Sequence, residues 1–205
     1  MEKVLIVGTS GLAKEIVSWS KGLLKIDGFI DVTEENYNKF KLPGEFYYEN
    51  EIDCNFNGTK NLLIAIGDSK LKEKLVLKYQ SLGFNFTQFI SPTCVISDTV
   101  KIGQGVIICP NCVLGADVEI KDFVVINYLC GIGHDTVIND FSQINPGVQI
   151  GGNVLIGKKT LVGSSATIVH GSKIGNECIV ASGSVVFNKI TDGVTILGNP
   201  AKKIF

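Results

Sequence analysis

From Ile96 onward, an aliphatic residue recurs at every sixth position through sixteen consecutive repeats, with no break in register. A smaller side chain follows four residues after most of them, as at Val100, Cys112 and Ser142. The residue directly after the aliphatic one is often Gly or Asn, which tolerate a left-handed backbone, so we expect sharp corners there. The sixteen aliphatic positions are Ile96, Ile102, Ile108, Leu114, Ile120, Ile126, Ile132, Ile138, Ile144, Ile150, Ile156, Val162, Ile168, Ile174, Val180 and Val186.

A six-residue repeat of this length predicts a parallel β-helix, in which each repeat makes one short strand and one corner. Three repeats close a triangular coil, so residues 18 apart stack on one another. In this register Cys94, Cys112 and Cys130 form one inward-facing column. The "CPNC" at 109–112 has no second CxxC to complete a metal site, and we therefore interpret these thiols as packing residues.

Residues 1–90 show a different pattern, in which apolar strand-like runs alternate with helix-like segments. "KVLIVG", "IDGFID" and "NLLIAIG" predict strands, whereas "TSGLAKEIVSWS" and "DSKLKEKLVLKYQSLG" have helical spacing. This alternation predicts a small parallel α/β domain of Rossmann-like type. Residues 34–58 lack periodicity and are interpreted as loop. The predicted domains are 1–90, the β-helix at 91–190, and a C-terminal tail at 191–205.

Charge and hydropathy bear on whether the protein binds nucleic acid or enters a membrane. The formal net charge is −1 and every basic residue is lysine, so nothing in the charge suggests a nucleic-acid ligand. No stretch approaches the roughly 20 apolar residues that span a bilayer, and the apolar run after Lys3 is too short for a signal peptide. We expect a cytoplasmic protein whose six cysteines are thiols.

The stacking register gives the two histidines of the chain a specific place. His134, Gly152 and His170 are 18 residues apart and should form one column on a corner. A glycine above a histidine leaves space for another molecule and exposes a backbone N–H, which suits a general base beside an oxyanion donor. The alternative is that both histidines are solvent-facing corner residues. A carbonic-anhydrase zinc site on this fold needs three histidines, and the chain has two.

Three motifs together resemble one known family. "VGTSGLAKEI" near the N-terminus, Asn127 followed by His134–Asp135, and the final "GNPAKKI" resemble the bacterial sugar acetyltransferases that N-acetylate nucleotide-linked amino sugars, and the related sialic acid O-acetyltransferases. The resemblance covers nearly the whole chain and implies a left-handed β-helix. It implies that His134 is the catalytic base, that Asp135 supports it, and that Asn127 and the Gly152 amide serve the acetyl group. Some relatives have Glu where this chain has Asp135.

The same resemblance implies acetyl-CoA as co-substrate, with contacts at Gln143, Ser164 and Ser182. We expect no metal, because the chain has two histidines and one CxxC. Some relatives have a histidine at the Gln143 position. Ser164 and Ser182 stack on a corner different from that of His134, about 15–20 Å away for six residues of strand. We therefore expect a homotrimer whose active sites lie between subunits.

The N-terminal domain is expected to hold the nucleotide-linked sugar. "GTSG" follows a strand and precedes a helix as a phosphate loop does, although it is not the GxGxxG fingerprint. Lys14, on the first helical turn, either contacts a diphosphate or is a solvated lysine. The positions that the resemblance assigns to the substrate are Ser10, Gly11, Leu12, Asp31, Gly67 and Lys70. Some relatives have a histidine where Leu12 stands.

These observations favour an acetyl-CoA-dependent N-acetyltransferase for a UDP-linked or other NDP-linked amino sugar, used in surface polysaccharide or glycoprotein glycans. The first alternative is O-acetylation of a sialic acid or related sugar. A non-catalytic β-helix scaffold is the second, and the His134–Gly152 column argues against it. An NAD-dependent enzyme is disfavoured because the glycine loop lacks the second close glycine. The sequence leaves open the sugar, its acceptor position and the nucleobase.

Overall fold

A five-stranded parallel sheet forms the centre of residues 3–89 in the computed structural model, which describes residues 3–204. The strand order β3-β2-β1-β4-β5 reverses direction between β1 and β4, as in doubly wound nucleotide-binding folds. This confirms the predicted Rossmann-like domain. The elements in chain order are β1 Lys3–Val7, α1 Gly11–Trp19, β2 Lys25–Asp31, α2 Glu35–Phe40, β3 Glu45–Tyr48, a 3-10 turn Glu49–Glu51, β4 Asn61–Ile64, α3 Ser69–Ser81 and β5 Asn85–Phe86.

The central strands of this sheet are apolar after their first residue because both of their faces are covered. Residues 4–7 in β1 and residues 62–64 in β4 are all buried, which is why they read as continuous rather than alternating runs. Helix α3 is capped by Asp68, whose carboxylate accepts the Leu71 N–H at 2.7 Å. It ends before Gly83, where a positive φ of 77° stops the helix.

The interpretation of residues 34–58 as loop is wrong, because this segment contains α2, β3 and the 3-10 turn. Helix α2 has only six residues, too few to show a helical period in the sequence. Aromatic packing fixes it instead: the Tyr37 ring lies 6.0 Å from Phe29 and 5.2 Å from Phe46. The polar and aromatic composition therefore reflects an edge strand and a short helix that pack through their rings.

Three sheets form the faces of a triangular β-helix over residues 90–204, and their strands are parallel except for the last, as the six-residue repeat predicts. The helix is left-handed, as the family resemblance implies. Partner strands are 18 residues apart, as in the pairing of Ile132 with Ile150. Face one contains β7 Val95–Ile96, β10 Val113–Leu114, β13 Gly131–Ile132, β16 Gln149–Ile150, β19 Thr167–Ile168 and β22 Val185–Val186. Face two contains β8 Lys101–Ile102, β11 Glu119–Ile120, β14 Val137–Ile138, β17 Leu155–Ile156 and β20 Lys173–Ile174. Face three contains β6 Phe89–Ile90, β9 Ile107–Ile108, β12 Val125–Ile126, β15 Gln143–Ile144, β18 Leu161–Val162, β21 Ile179–Val180, β23 Thr195–Gly198 and β24 Ala201–Lys203.

The interior of the prism contains the second residue of each strand and the small residue that precedes the next strand. Ile144 and Ile156 have no exposed surface, and truncating such a side chain to Ala costs about 2–5 kcal/mol. The Cys112 and Cys130 thiols are buried and donate to carbonyls of the following coil at 3.0 and 3.2 Å. The interpretation of these cysteines as packing residues agrees with those contacts.

The corners differ in one respect from the sequence prediction. From Ile102 to Val180 the left-handed residue is the third after the aliphatic position, as at Asp135 and Phe141, and not the first. Glycines at the first position have another cause. A Cβ on Gly133 would lie 2.5 Å from the backbone nitrogen of Gly152, so the close approach of the next coil leaves no space for a side chain.

The segment assigned to a C-terminal tail extends the prism. Strand β23 pairs with β21 in parallel, and β24 then folds back antiparallel to β23 after a cis Asn199–Pro200 bond. Within residues 3–204 the structure has no helix that is long and apolar enough to cross a membrane.

Candidate active site

His134 and Asp135 occupy the corner between β13 and β14. Asp135 adopts the left-handed conformation, with φ of 57°, which Asp tolerates better than most residues. Asp135 Oδ2 lies 2.7 Å from His134 Nδ1. Both side chains remain more than half exposed. The carboxylate therefore favours the tautomer with the proton on Nδ1, which leaves Nε2 as the free base.

Gly152 lies against the His134 imidazole, one coil further along the prism. A Cβ built on Gly152 would be 2.5 Å from Nε2 and 2.7 Å from Cε1 of His134, so the ring occupies the space that a side chain would fill. The Gly152 carbonyl accepts the Gly171 N–H at 3.0 Å. Among the described residues, no acceptor is found for the Gly152 N–H itself. The free base and a backbone donor are thus adjacent, as the stacking register predicts. The space beside Gly152 is filled by the imidazole, however, and is not left for another molecule as expected.

His170 follows in the same column. Its ring centroid is 6.1 Å from that of His134, with the planes inclined by 47°. The side chain is exposed. It has no carboxylate partner comparable to Asp135 among the described residues, so it remains a corner histidine beside the candidate base.

A second group of predicted residues lies on the corner between face three and face one. Ser164 follows β18 and Ser182 follows β21, and the two residues stack 18 apart. Gln143 lies on β15, where its Nε2 donates to Asn145 Oδ1 at 2.9 Å. The Gln143 Oε1 atom is buried and has no hydrogen-bond partner among the described residues.

Asn127 belongs to this second group and not to the His134 corner. It follows β12 on face three, its Oδ1 accepts the Tyr128 N–H at 2.9 Å, and Tyr128 stacks in the column of Ser164. The predicted grouping of Asn127 with Gly152 therefore does not occur within one chain. The whole width of face one separates the two corners, on the order of 20 Å for six residues of strand.

In the N-terminal domain the start of α1 is open. Ser10 and Gly11 are exposed, the Ser10 side chain does not cap the helix, and nothing lies within 4 Å of a Cβ built on Gly11. Leu12 is half-buried. The unsatisfied N–H groups at such a helix start attract anions such as phosphate. The Lys14 ammonium lies 4.8 Å above the Phe40 ring, which holds this charge near the same helix turn.

Asp31 holds the glycine loop in place. Its Oδ2 accepts from both the backbone N–H and the hydroxyl of Thr9, at 2.8 and 2.5 Å, and its Oδ1 accepts the Val32 N–H. Thr9 was not singled out in the sequence, although it lies inside the "GTSG" motif. A substrate contact by Asp31 would use the remaining lone pairs of a carboxylate that already fixes the loop.

A cavity of about 230 Å³ opens at the carboxyl ends of the sheet strands. Its wall is mainly apolar, with Asp31, Glu49 and Lys78 among its polar residues. Gly67 and Lys70 are exposed on the loop and first turn that lead into α3, next to Ile66 of the wall. Ligands of doubly wound folds bind at this edge of the sheet. Residues 3–204 contain no cluster of three or more potential metal-ligating side chains.

Two family models match the chain. The model for bacterial transferase hexapeptide (six repeats) matches residues 153–188, and the model for the PglD N-terminal domain matches residues 3–79. A search of curated protein sequences returned no match.

Solved structures match over the full length. A mutant of perosamine N-acetyltransferase from Caulobacter crescentus, in complex with CoA and GDP-perosamine, is 27% identical with a TM-score of 0.89, covering 100% of this chain and 98% of that one. WeeI from Acinetobacter baumannii AYE is 27% identical with a TM-score of 0.80, covering 100% of both chains. The acetyltransferase domain of PglB from Neisseria gonorrhoeae FA1090 shares the fold at 23% identity, with a TM-score of 0.86 and 100% of both chains covered.

The chain is an acetyltransferase built on a hexapeptide-repeat β-helix. Matches over both of its domains confirm the resemblance to one group within that class, the bacterial nucleotide-amino-sugar N-acetyltransferases.

Proposed function

We propose that this protein transfers the acetyl group of acetyl-CoA to the amino group of a nucleotide-linked amino sugar. The observation that carries the proposal is that Asp135 holds the His134 imidazole against Gly152. It pairs a base with a backbone donor, the two groups that direct acyl transfer needs. The similar perosamine N-acetyltransferase, which is in complex with CoA and GDP-perosamine, supports the same class of donor and acceptor.

The reaction follows from the positions of these groups. The amine nitrogen attacks the thioester carbonyl carbon, the new C–N bond forms, and the carbonyl electrons move onto oxygen. His134 Nε2 removes the proton from the nitrogen, and the Gly152 N–H donates to the oxyanion. Collapse breaks the C–S bond, and the departing thiolate takes the proton from the imidazolium. The products are an acetamide and CoA with a free thiol.

The second corner supplies the contacts for acetyl-CoA. Ser164 and Ser182 offer hydroxyls on one column, and Asn127 lies in the neighbouring column. The buried Gln143 Oε1 has no partner among the described residues, and an amide N–H of the pantetheine arm would supply the missing donor. The carbonyl group of Gln143 thus offers an acceptor at the position where some relatives have an imidazole.

Separate corners imply a shared site. One prism cannot bring His134 and Ser164 to the same acetyl group. In a homotrimer, therefore, the His134 corner of one subunit faces the Ser164 corner of its neighbour. Cyclic association of this kind uses two different patches on each subunit and closes into a ring.

The N-terminal domain holds the nucleotide. Ser10 and Gly11 at the start of α1 bind the diphosphate, with Lys14 supplying charge, and the cavity beside Asp31 accepts the nucleoside. Leu12, Gly67 and Lys70 border the same loops. We place the reaction in the cytoplasm, in the synthesis of sugars for surface polysaccharides or glycoproteins.

The test incubates purified protein with acetyl-CoA and, in turn, a panel of UDP-linked, GDP-linked and dTDP-linked amino sugars and free sialic acid. Thiol release is followed continuously, and the product is identified by mass spectrometry. We expect release with one class of nucleotide amino sugar and an acetamide in the product. Matched nucleotide sugars that carry a hydroxyl instead of the amine serve as controls.

Other outcomes would replace the proposal. Release with sialic acid alone would establish O-acetylation instead. Silence across the panel, from protein that binds CoA, would favour a binding scaffold.

A further inference from the structure

Thr136 is a fully buried polar residue two positions after His134. Its hydroxyl donates to the Gly151 carbonyl at 2.9 Å, on the next coil of the prism. The same oxygen accepts the Val154 N–H at 3.3 Å. The hydroxyl therefore ties the coil that carries the base to the coil that carries the candidate oxyanion donor.

The Gly151 carbonyl belongs to the same peptide unit as the Gly152 N–H. Because the peptide bond is planar and trans, the C=O and N–H of one unit point in opposite directions. A hydrogen bond that fixes the Gly151 carbonyl toward the interior therefore fixes the Gly152 N–H toward the His134 corner. The Gly152 carbonyl is held separately by the Gly171 N–H, so the peptide units on both sides of Gly152 are restrained.

We infer that Thr136 is a positioning residue for acetyl transfer, which acts by orienting the Gly152 N–H toward the developing oxyanion. The inference rests on the proposed function. Thr136 does not touch the reacting atoms, and its effect passes through the Gly151–Gly152 peptide. An N–H that already points to the position of the oxyanion needs no reorientation when the negative charge develops. This preorganisation is what lets it lower the barrier.

The other inward positions on this corner column do not provide the same bond. Val118 and Val154, one coil below and one coil above, have no hydroxyl. Ser172 is two coils above, and its hydroxyl donates to the Val186 carbonyl instead. Thr136 is therefore the one inward side chain of the described column that bonds to the Gly151 carbonyl.

The chain provides a matched control at Thr160. This residue is also fully buried, its hydroxyl donates to the Gly175 carbonyl at 2.7 Å, and its oxygen accepts the Cys178 N–H at 3.1 Å. The peptide it holds lies on the corner between face two and face three, away from His134 and from Ser164. Removing either hydroxyl thus removes the same pair of interior hydrogen bonds, but only one of them serves the candidate site.

The experiment compares Thr136→Val, Thr136→Ser and Thr160→Val with the wild type. We expect both valine variants to lose a similar amount of melting temperature. Thr136→Val should in addition lower kcat about tenfold or more relative to Thr160→Val, with the KM for acetyl-CoA within about twofold. Thr136→Ser, which retains the hydroxyl, should recover most of the lost kcat.

Equal kcat values in Thr136→Val and Thr160→Val would overturn this inference and leave the proposed function intact. A failure of Thr136→Ser to recover the rate would also overturn it, since packing and not the hydroxyl would then be responsible. Absence of transfer by the wild type would overturn the proposed function, and with it this role.

Discussion

The Nε2 atom of His134 lies only 2.5 Å from the position that a Cβ on Gly152 would occupy. The φ of Gly152 is outside the left-handed region, so its backbone would accept an alanine. The absence of a side chain at this position is thus required by the imidazole and not by the chain path. Because of this close approach, adding a single methyl group at Gly152 tests whether the position of the His134 ring matters for activity.

Gly152→Ala should displace the imidazole while leaving the fold in place. The His134 side chain is more than half exposed and its ring can rotate away, so we expect a loss of less than about 1 kcal/mol in stability. A base moved by about 1 Å can cost on the order of 10²-fold in rate. Thermal unfolding and kcat, measured on the same preparation, check both parts. Full activity in a folded Gly152→Ala protein would show that the ring position is not used.

Asp135→Asn and Asp135→Ala separate orientation from charge. The carboxylate accepts from His134 Nδ1 at 2.7 Å, and an asparagine oxygen can accept the same proton. Because this pair is more than half exposed, its charge is screened by solvent. We expect about a tenfold loss of kcat for Asp135→Ala and a smaller loss for Asp135→Asn. Equal kcat values in the wild type and both variants would show that Asp135 has no role in catalysis.

Mixed trimers test whether sites are shared between subunits. His134→Ala removes the base, and Ser164→Trp blocks the corner proposed for CoA. If each site takes one corner from each of two neighbours, random mixing of the two inactive proteins restores about a quarter of wild-type activity. The mixing is verified by mass spectrometry of tagged subunits. Trimers that contain both variants and show no recovery would mean that each chain carries a whole site.

Lys72 provides a prediction about stability. It is 1% exposed, and burial lowers the pKa of its ammonium to about 8, partly offset by Asp68. Between about pH 8 and the unfolded value of about 10.4, the unfolded chain binds more protons, so stability should rise with pH in that window. Below about pH 8, Lys72 is protonated in both the folded and the unfolded chain, and burial of its charge lowers the stability of the folded state by a constant amount.

Lys72→Met should therefore stabilise the protein at neutral pH, by about 1–3 kcal/mol, and flatten the rise above pH 8. Urea unfolding across this pH range measures both effects. The exposed Lys74 gives the control Lys74→Met, for which we expect little change. If Lys72→Met is less stable than the wild type at neutral pH, the buried charge is compensated by contacts stronger than its desolvation.

The repeat made most of the β-helix predictable, because a six-residue period places Ile132 over Leu114 and under Ile150 without further information. The His134–Gly152 column followed from the same arithmetic. The corner geometry could not be predicted in this way, since only the structure shows that the left-handed residue is Asp135, two positions after Gly133.

Three further features could not be predicted from the sequence, each for a different reason. The register alone places Tyr128 in the Ser164 column, and so Asn127 beside it, but a resemblance by motif does not show which corner of which chain a residue serves. The role of Thr136 depends on the direction of one peptide unit, which no periodicity reports. Helix α2 was missed because ring packing and not helical periodicity holds it.

The most direct test of the account compares His134→Asn with His170→Asn, two histidines that stack in one column of the prism. Thiol release is measured with saturating acetyl-CoA and the acceptor identified from the panel. We expect His134→Asn to lose about 10²–10⁴-fold in kcat, as removal of a general base does, and His170→Asn to stay within a few-fold of wild type. Both proteins should unfold at nearly the wild-type temperature, because both side chains are exposed. Turnover retained by folded His134→Asn would contradict the account.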